Sequence, residues 1–323
     1  MPHPATASSH PAKPVVFIDG EAGTTGLQIR RRLDAVQAIE VRSIDAESRK
    51  DEAARLAMMR QADLVVLCLP DAAAIEAAAL LASLGKDAPK VVDASTAHRV
   101  ADGWTYGFPE LTSGQAAAIA AARQVANPGC YPTGAIALIR PLVDAGLIPA
   151  EYPISVNAVS GYSGGGRSMI EAYETDRAPA FELYGLGLQH KHVPELQRYS
   201  GLSVRPIFVP SVGNFRQGML VSVPLHLDAL PARPAARDLE AALVAHYAAT
   251  RPDMRPDMRH VEVVPAEADG RLDALALNDT DRLQLRVFAN ERLRQAVLVA
   301  RLDNLGKGAA GAAVQNIALM LGL

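Results

Sequence analysis

A short β-rich run that feeds straight into spaced glycines and then into a helical pattern narrows what a chain can become. Residues 14–19, PVVFID, are followed by Gly20, Gly23 and Gly26, then by LQIRRRLDAV at helical spacing, with Leu27, Leu33 and Val36 as candidate core contacts. A turn this rich in glycine lets backbone N–H groups come close to a ligand, and at the head of a helix the dipole favours negative charge. A pyrophosphate suits both demands, so Gly20, Gly23, Thr24 and Gly26 are the candidate contacts of a dinucleotide. A glycine-rich connection with no ligand could carry the same letters, but the strand before the triplet and the helix after it favour the cofactor reading.

The alternation continues. IEVRSI (39–44) reads as a second strand, 51–62 as a helix, 64–69 as an apolar strand buried on both faces, 71–85 as a helix ended by Gly85, and KVVDAS (90–95) as a further strand. Strands separated by helices of about ten residues form right-handed βαβ units, giving a Rossmann-type doubly wound parallel sheet, an α/β fold. After Asn127 the character changes. A helix over 134–145 stopped by Gly146 leads to the strand YPISVNAVS, a glycine-rich loop SGYSGGGR, and a polar helix and loop over 168–200. Strands at 203–209, 218–227, 259–264 and 283–289 follow, with a helix near 235–249 and a loop at the tandem RPDMRPDM. This half reads as an inserted α+β domain with a mixed or antiparallel sheet. The last segment, 307–323, is an Ala-rich helix with Val314, Ile317, Ala318 and Leu321 on one face, expected to return to the first unit. The expected domains are therefore 13–129 plus 305–323, and 130–304, with 1–12 a polar, disordered lead-in.

With 32 basic and 35 acidic residues the net charge is −3, which gives no electrostatic case for nucleic acid or an anionic membrane. No apolar run approaches a membrane span and no secretory signal is visible, so a cytoplasmic protein acting on a small molecule is expected. Two cysteines cannot make a disulfide framework. Cys68 lies in the apolar strand and reads as core. Cys130, in NPGCYPTGA, sits on a Pro-Gly turn feeding a helix from about Thr133, where the dipole and free N–H groups are expected to favour the thiolate.

QHKHVPE gathers His190, His192 and Glu195 within a few residues. An exposed loop with two ordinary histidines is the plain alternative, and no thiolate pair or H-E-x-x-H completes a metal site, so no metal is expected. A histidine titrating near neutral pH is what a cysteine nucleophile needs as partner. The end of the second strand, VRSIDAESRKD, decides the dinucleotide: Ser43, Arg49 and Lys50 favour the 2′-phosphate of NADP, against Asp45 and Glu47 nearby.

On GEAGTTGLQIR, LVVLCLPD, DASTAHR, YGFPEL, NPGCYPTGA, SGYSGGGR, QHKHVPE and KGAAGAAVQN, the chain resembles the N-acetyl-gamma-glutamyl-phosphate reductases, NADP-dependent enzymes of arginine biosynthesis, and more narrowly their shorter, type 2 subfamily. The likeness spans nearly everything after the first dozen residues. It implies that Cys130 is the nucleophile and that the segment of His190, His192 and Glu195 supplies the acid/base; of the two histidines His190 is favoured, with His192 and Glu195 as orienting or substrate groups, an order the sequence alone leaves open. It further implies that Arg99 binds a substrate carboxylate or phosphate through bidentate bonds, that Ser163 and Gly164 belong to the substrate or cofactor loop, and that Asn316 reaches the nicotinamide amide. Family members are commonly homo-oligomers, so a dimer or tetramer is expected. The rival readings are a semialdehyde dehydrogenase acting on aspartyl phosphate, a Cys-His hydrolase without cofactor, and a non-catalytic dinucleotide-binding regulator.

Overall fold

The structure, a computed structural model, describes residues 13–323; the lead-in expected over residues 1–12 lies outside the described residues. Chain order begins β1 (Val15–Asp19), α1 (Thr24–Leu33), β2 (Glu40–Arg42), α2 (Glu52–Arg60), β3 (Leu64–Leu67), α3 (Asp71–Ala82), β4 (Lys90–Asp93), β5 (Thr105–Tyr106), α4 (Gln115–Ala121) and β6 (Gln124–Ala126). These strands form one parallel sheet in the order β2-β1-β3-β4-β6-β5. The strand order reverses between β1 and β3, the place where such sheets open a crevice at their carboxyl ends.

Helices cover both faces of the sheet, which is why the strands read as unbroken apolar runs. Val16 and Ile18 of β1 pack with Ile29 and Leu33 of α1, while Phe17 between them packs with Met59 of α2 and Leu81 of α3. Leu27, expected in the core, is 55% exposed. It lies two residues from Ile29, roughly 200° around the helix. The short β5 and β6 and the helix between them were not expected; their strands are too brief to show a period.

The second unit comprises α5 (Cys130–Asp144), β7 (Ser155–Gly161), α6 (Gly166–Glu174), β8 (Phe181–Leu183), α7 (Val193–Ser200), β9 (Ile207–Gly213), β10 (Met219–His226), α8 (Ala236–Thr250), β11 (Val261–Val263), β12 (Leu283–Asn290) and β13 (Gln295–Leu302). Its sheet is mixed, in the order β11-β12-β13-β10-β7-β9-β8. β9 begins after Pro206, so the strand expected at 203–209 lies a few residues later. Missed entirely was β13, whose Ala296 and Ala300 are helix formers in isolation. Pairing decides its state, for it zips antiparallel to β12 from Leu283↔Leu302 to Asn290↔Gln295.

α5 lies on one face of this sheet and begins at Cys130 itself, earlier than its letters suggested. Ala135 to Ile139 and Leu142 are wholly buried, and a Cβ on Gly134 would stand 2.8 Å from Val221, so helix and sheet meet almost backbone to side chain. Pro141, lacking an N–H, frees the carbonyl of Ala137, and Tyr247 Oη of α8 donates to it at 2.7 Å. The other face of the sheet carries Leu183, Val209, Phe288, Val297 and Val299 around an open apolar hollow of about 620 Å³.

After β13 a π-helical turn, Gly306–Ala310, leads into α9 (Gly311–Leu321). As expected, this helix returns to the parallel sheet, packing Ala313, Ile317 and Met320 with Val92 and Ile119. Among the described residues no helix is long and apolar enough to cross a membrane.

Candidate active site

The parallel sheet's carboxyl ends and the second unit enclose a pocket of about 540 Å³ whose wall includes Thr24, Asp71, Arg99, Cys130, Ser163, Gly164, His190 and His192. Residues from the first turns of α1, α3, α5 and α6 line it, and none of these helices has a side-chain N-cap bond. Their leading N–H groups and positive dipole ends therefore suit an anion.

The glycine turn fits a dinucleotide for steric reasons. Gly20 has φ +88°, and a Cβ there would meet the Cys68 carbonyl oxygen at 2.4 Å; one on Gly26 would meet the Gly20 oxygen at 2.6 Å. Gly23 is the residue before α1, and its N–H donates to Gly20 O at 3.0 Å. The turn thus folds flat against β3 and leaves the α1 N-terminus, including Thr24, open toward the pocket. Asp19, ending β1, is held by Arg55 of α2 at 2.6 Å. Cys68, expected in the core, lies just past β3 and is partly buried against it, its thiol pushed far up by burial and by Asp93 and Asp19.

Ser43 follows β2 and donates from Oγ to Glu21 Oε2 at 2.7 Å. Arg30 Nη1 donates to the same Ser43 Oγ and lies 3.5 Å from Glu21 Oε1. Sequence reading had missed Arg30 and Glu21, because only the fold brings α1 beside the end of β2. Arg49 and Lys50 are exposed, farther along the connection into α2.

Around the nucleophile candidate the side chains are buried and interlocked. Glu195, 1% exposed, accepts from Arg99 Nη1 at 2.6 Å, Tyr106 Oη at 2.9 Å and the Gly129 N–H at 3.1 Å. Arg99 Nε donates to Asn127 O at 3.0 Å. Glu195 therefore grips the turn that precedes Cys130 and does not itself line the pocket. Nε and one N–H of Nη1 are engaged in these bonds, and the Nη2 N–H groups carry no protein bond among the described residues, so Arg99 keeps donors for a ligand on the pocket side. A Cβ on Gly129 would fall within 2.8 Å of Arg99, Glu195 and His192, so only glycine fits there.

The thiol of Cys130 departs from expectation. Burial pushes it up to about 11, outweighing the Arg99 charge and the N–H groups of Tyr131 and Cys130 that act in the opposite direction. The helix N-terminus exists, but loss of water around the sulfur dominates. His190 is lowered to about 4, first by burial and then by Lys191. His192 is pushed well down by burial, helped by Arg99, His190 and Lys191. Both rings are neutral at pH 7. His190 Nδ1 accepts the His192 N–H at 3.1 Å, which leaves its proton on Nε2; His192 Nδ1 is buried without a partner among the described residues.

Asp93 organises the segment that carries Arg99. It accepts from Ser95 N at 2.8 Å and Ser95 Oγ at 2.7 Å and pairs with His98 Nδ1 at 2.6 Å, while His98 stacks on Trp104 at 4.1 Å. His98 had been given no role on sequence. Ser163 Oγ receives Asn304 Nδ2 at 2.9 Å, fixing the loop whose Gly164 lines the pocket. Asn316 is wholly buried behind the wall, donating to Gly107 O at 2.9 Å and Asn127 Oδ1 at 3.1 Å. Asn316 is not among the residues lining the pocket, whereas Asn127, to which it donates, is.

Residues 15–119 match the family described as semialdehyde dehydrogenase, NAD binding domain, and residues 130–304 that described as semialdehyde dehydrogenase, dimerisation domain. The chain is 53% identical over 311 residues to an N-acetyl-gamma-glutamyl-phosphate reductase of a Chelativorans species, covering 95% of this chain and 97% of that protein. The protein of the same name from Brucella ovis is 54% identical over 318 residues, covering 96% and 99%. Among solved structures, an aspartate semialdehyde dehydrogenase from Vibrio cholerae superposes with a TM-score of 0.71 at 17% identity, over 97% of this chain and 99% of that one. One from Candida albicans gives 0.65 at 13% identity, over 96% and 99%. These two likenesses are of fold.

Proposed function

Because the chain belongs to the N-acetyl-gamma-glutamyl-phosphate reductase family, we propose that its pocket converts N-acetyl-gamma-glutamyl phosphate, with NADPH, into N-acetylglutamate semialdehyde and phosphate, a step of arginine biosynthesis. The observation that carries the reading is one cavity lined both by Thr24 and Thr25, at the head of α1 just after the glycine turn, and by Cys130 at the α5 N-terminus. Gly20, Gly23, Thr24 and Gly26 would hold the diphosphate of the coenzyme, Ser43 and Arg30 its 2′-phosphate with Arg49 and Lys50 adding long-range charge, and Asn127, backed by Asn316, would border the nicotinamide.

A neutral thiol at pH 7 needs a base as it attacks, and the neutral ring of His192, which lines the same pocket as Cys130, is assigned to take the proton. Cys130 Sγ bonds to the acyl carbon, the carbon–oxygen bond to phosphate breaks, and phosphate leaves with the electron pair; a thioester on Cys130 results. Arg99 Nη2 and the N–H groups at the heads of α3 and α6 receive the substrate's anionic ends. The chemistry that NADPH would supply when bound is a hydride for the acyl carbon. The oxygen that becomes negative is met by His190 Nε2–H, a donor because Nδ1 is already an acceptor. Collapse of the thiohemiacetal breaks the carbon–sulfur bond, releases the aldehyde and returns the proton from His192 to sulfur. Ser163 and Gly164 shape the wall beside the acyl group, and Glu195 acts by holding Gly129.

The division into 13–129 plus 305–323 and 130–304 accounts for this arrangement, since the seam between them runs through the pocket. A second copy on the apolar outer face of the mixed sheet, giving a homo-oligomer, would bury Leu183 and Val297, which are 51% and 39% exposed. The proposed setting is cytoplasmic. The test is the reverse assay with N-acetylglutamate semialdehyde, phosphate and NADP, with aspartate semialdehyde as competitor. Cys130→Ala is expected to abolish turnover while retaining NADPH binding; more than trace activity in it, or a preference for aspartate semialdehyde, would overturn the reading.

A further inference from the structure

In a doubly wound sheet the residue at the end of the second strand usually meets the adenosine ribose, with a carboxylate there selecting the 2′-hydroxyl of NADH. Here that position is Ser43, and the nearby carboxylate comes from elsewhere: Glu21, the second residue of the glycine turn itself. Its Oε2 accepts from Ser43 Oγ at 2.7 Å, and its Oε1 lies 3.5 Å from Arg30 Nη1. Arg30 is also bound through Nε to Asp34 at 2.7 Å. Glu21 and Arg30 side chains are 28% and 29% exposed, so the group stands at the surface rim where an adenosine would enter. Resting on the assignment of this turn to NADPH, we propose that Glu21 is a specificity-determining residue that restrains the preference for NADPH over NADH.

The physical argument is a competition for the same donors. A 2′-phosphate needs Ser43 Oγ–H and Arg30 Nη1–H, the two groups that Glu21 now faces, and it brings negative charge beside a carboxylate. A 2′-hydroxyl instead can donate to Glu21 without displacing anything. Arg30 and Glu21 therefore pull in opposite directions on one atom of the coenzyme. Removing the Glu21 charge while keeping its shape leaves Arg30 and Ser43 unopposed. At a half-exposed site a like charge at such range weakens binding by about tenfold at low salt.

Calorimetric titration of the full chain with adenosine 2′,5′-bisphosphate and with adenosine 5′-monophosphate isolates this, because the two probes differ only at the 2′ position. Glu21→Gln is expected to tighten the bisphosphate about tenfold at low salt and to leave the monophosphate unchanged or weaker. Arg30→Gln is expected to lose the bisphosphate preference while still binding the monophosphate. Unchanged affinity for both probes in Glu21→Gln, or an equal shift for both, overturns the proposal, the second outcome meaning that Glu21 acts on the fold of the turn. If the unsubstituted chain bound neither probe, the dinucleotide assignment would itself fall, a result distinct from either.

Discussion

The two ends of the pocket are built on opposite principles. At the coenzyme end the work is done by backbone: glycines that fold a turn against β3, uncapped N–H groups, and side chains such as Ser43, Arg30 and Glu21 that remain partly in water. At the cysteine end it is done by side chains removed from water, with Glu195 at 1% and Arg99 at 7% exposure tied to each other, to Tyr106 and to the Gly129 N–H. A surface made of N–H groups tolerates a change in one contact. A buried charge with three donors does not, because any group that loses its partner there has no water to replace it.

Substitution of Glu195 should separate the ends most sharply. Glu195→Gln keeps the shape but replaces one acceptor oxygen by a donor, so it must fail either Arg99 or the Tyr106 and Gly129 pair. The Arg99 cation is then left buried without its counter-charge, a loss worth roughly 3–5 kcal/mol when such a pair is broken. We expect kcat to fall by about a hundredfold or more, with NADPH affinity measured by fluorescence titration changed by less than about twofold. Tyr106→Phe, which removes one donor only, should show a milder loss of about tenfold. A fall in coenzyme affinity as large as the fall in kcat would mean that the two ends are not independent.

The thiol offers a second contrast. Since burial raises Cys130 to about 11, the thiolate fraction in the free protein should climb about tenfold with each pH unit from 7 toward 10. Inactivation by iodoacetamide, followed by mass, is expected to rise with that slope. The sign is the opposite of what a helix-stabilised thiolate would give, which is a rate already at its plateau below pH 8. Cys68, partly buried just past β3 with its thiol higher still, should remain unmodified over the same range.

The same contrast explains which parts were legible in the sequence. Gly20, Gly23 and Gly26 answer to constraints a few residues away, so their spacing announces the turn before any fold is known. Unbroken apolar runs likewise announce a sheet covered on both faces. The grip on Cys130 depends on partners far along the chain: Arg99 and Glu195 are 96 positions apart, and Tyr106 and Glu195 are 89 apart. Each was visible as a residue in a motif, but its role was not. Glu195 was expected as an orienting or substrate group, and only the fold shows its hold on the Gly129 N–H; Asn316 was expected at the nicotinamide, and only the fold shows its bond to Asn127. The pKa of Cys130 was misjudged for a related reason. A helix N-terminus can be read from sequence, whereas the depth at which the sulfur ends up cannot. β13 escaped because its strand character comes from β12 beside it.

One contact joins the two ends, and it should have the smallest effect. Arg167, at the start of α6 in the second unit, donates from Nη2 to Ala22 O in the glycine turn at 3.1 Å. It is exposed, lines a recess with Gly23 and Thr24, and brings a cation to the place where the diphosphate would lie. A single hydrogen bond to a carbonyl from a solvated guanidinium contributes little by itself, within the range of about 0.5–1.5 kcal/mol for an ordinary hydrogen bond. Facing a diphosphate, the same group gains charge assistance but remains screened by salt. Arg167→Ala should therefore weaken NADPH binding by about threefold to tenfold at low salt, and by less at 0.5 M salt, on fluorescence titration. Adenosine 2′-monophosphate, which has no 5′-phosphate, should bind the variant and the unsubstituted chain alike. If both ligands weakened together, Arg167 would be supporting the shape of the turn. A loss confined to NADPH means that the second unit reaches over to hold the coenzyme.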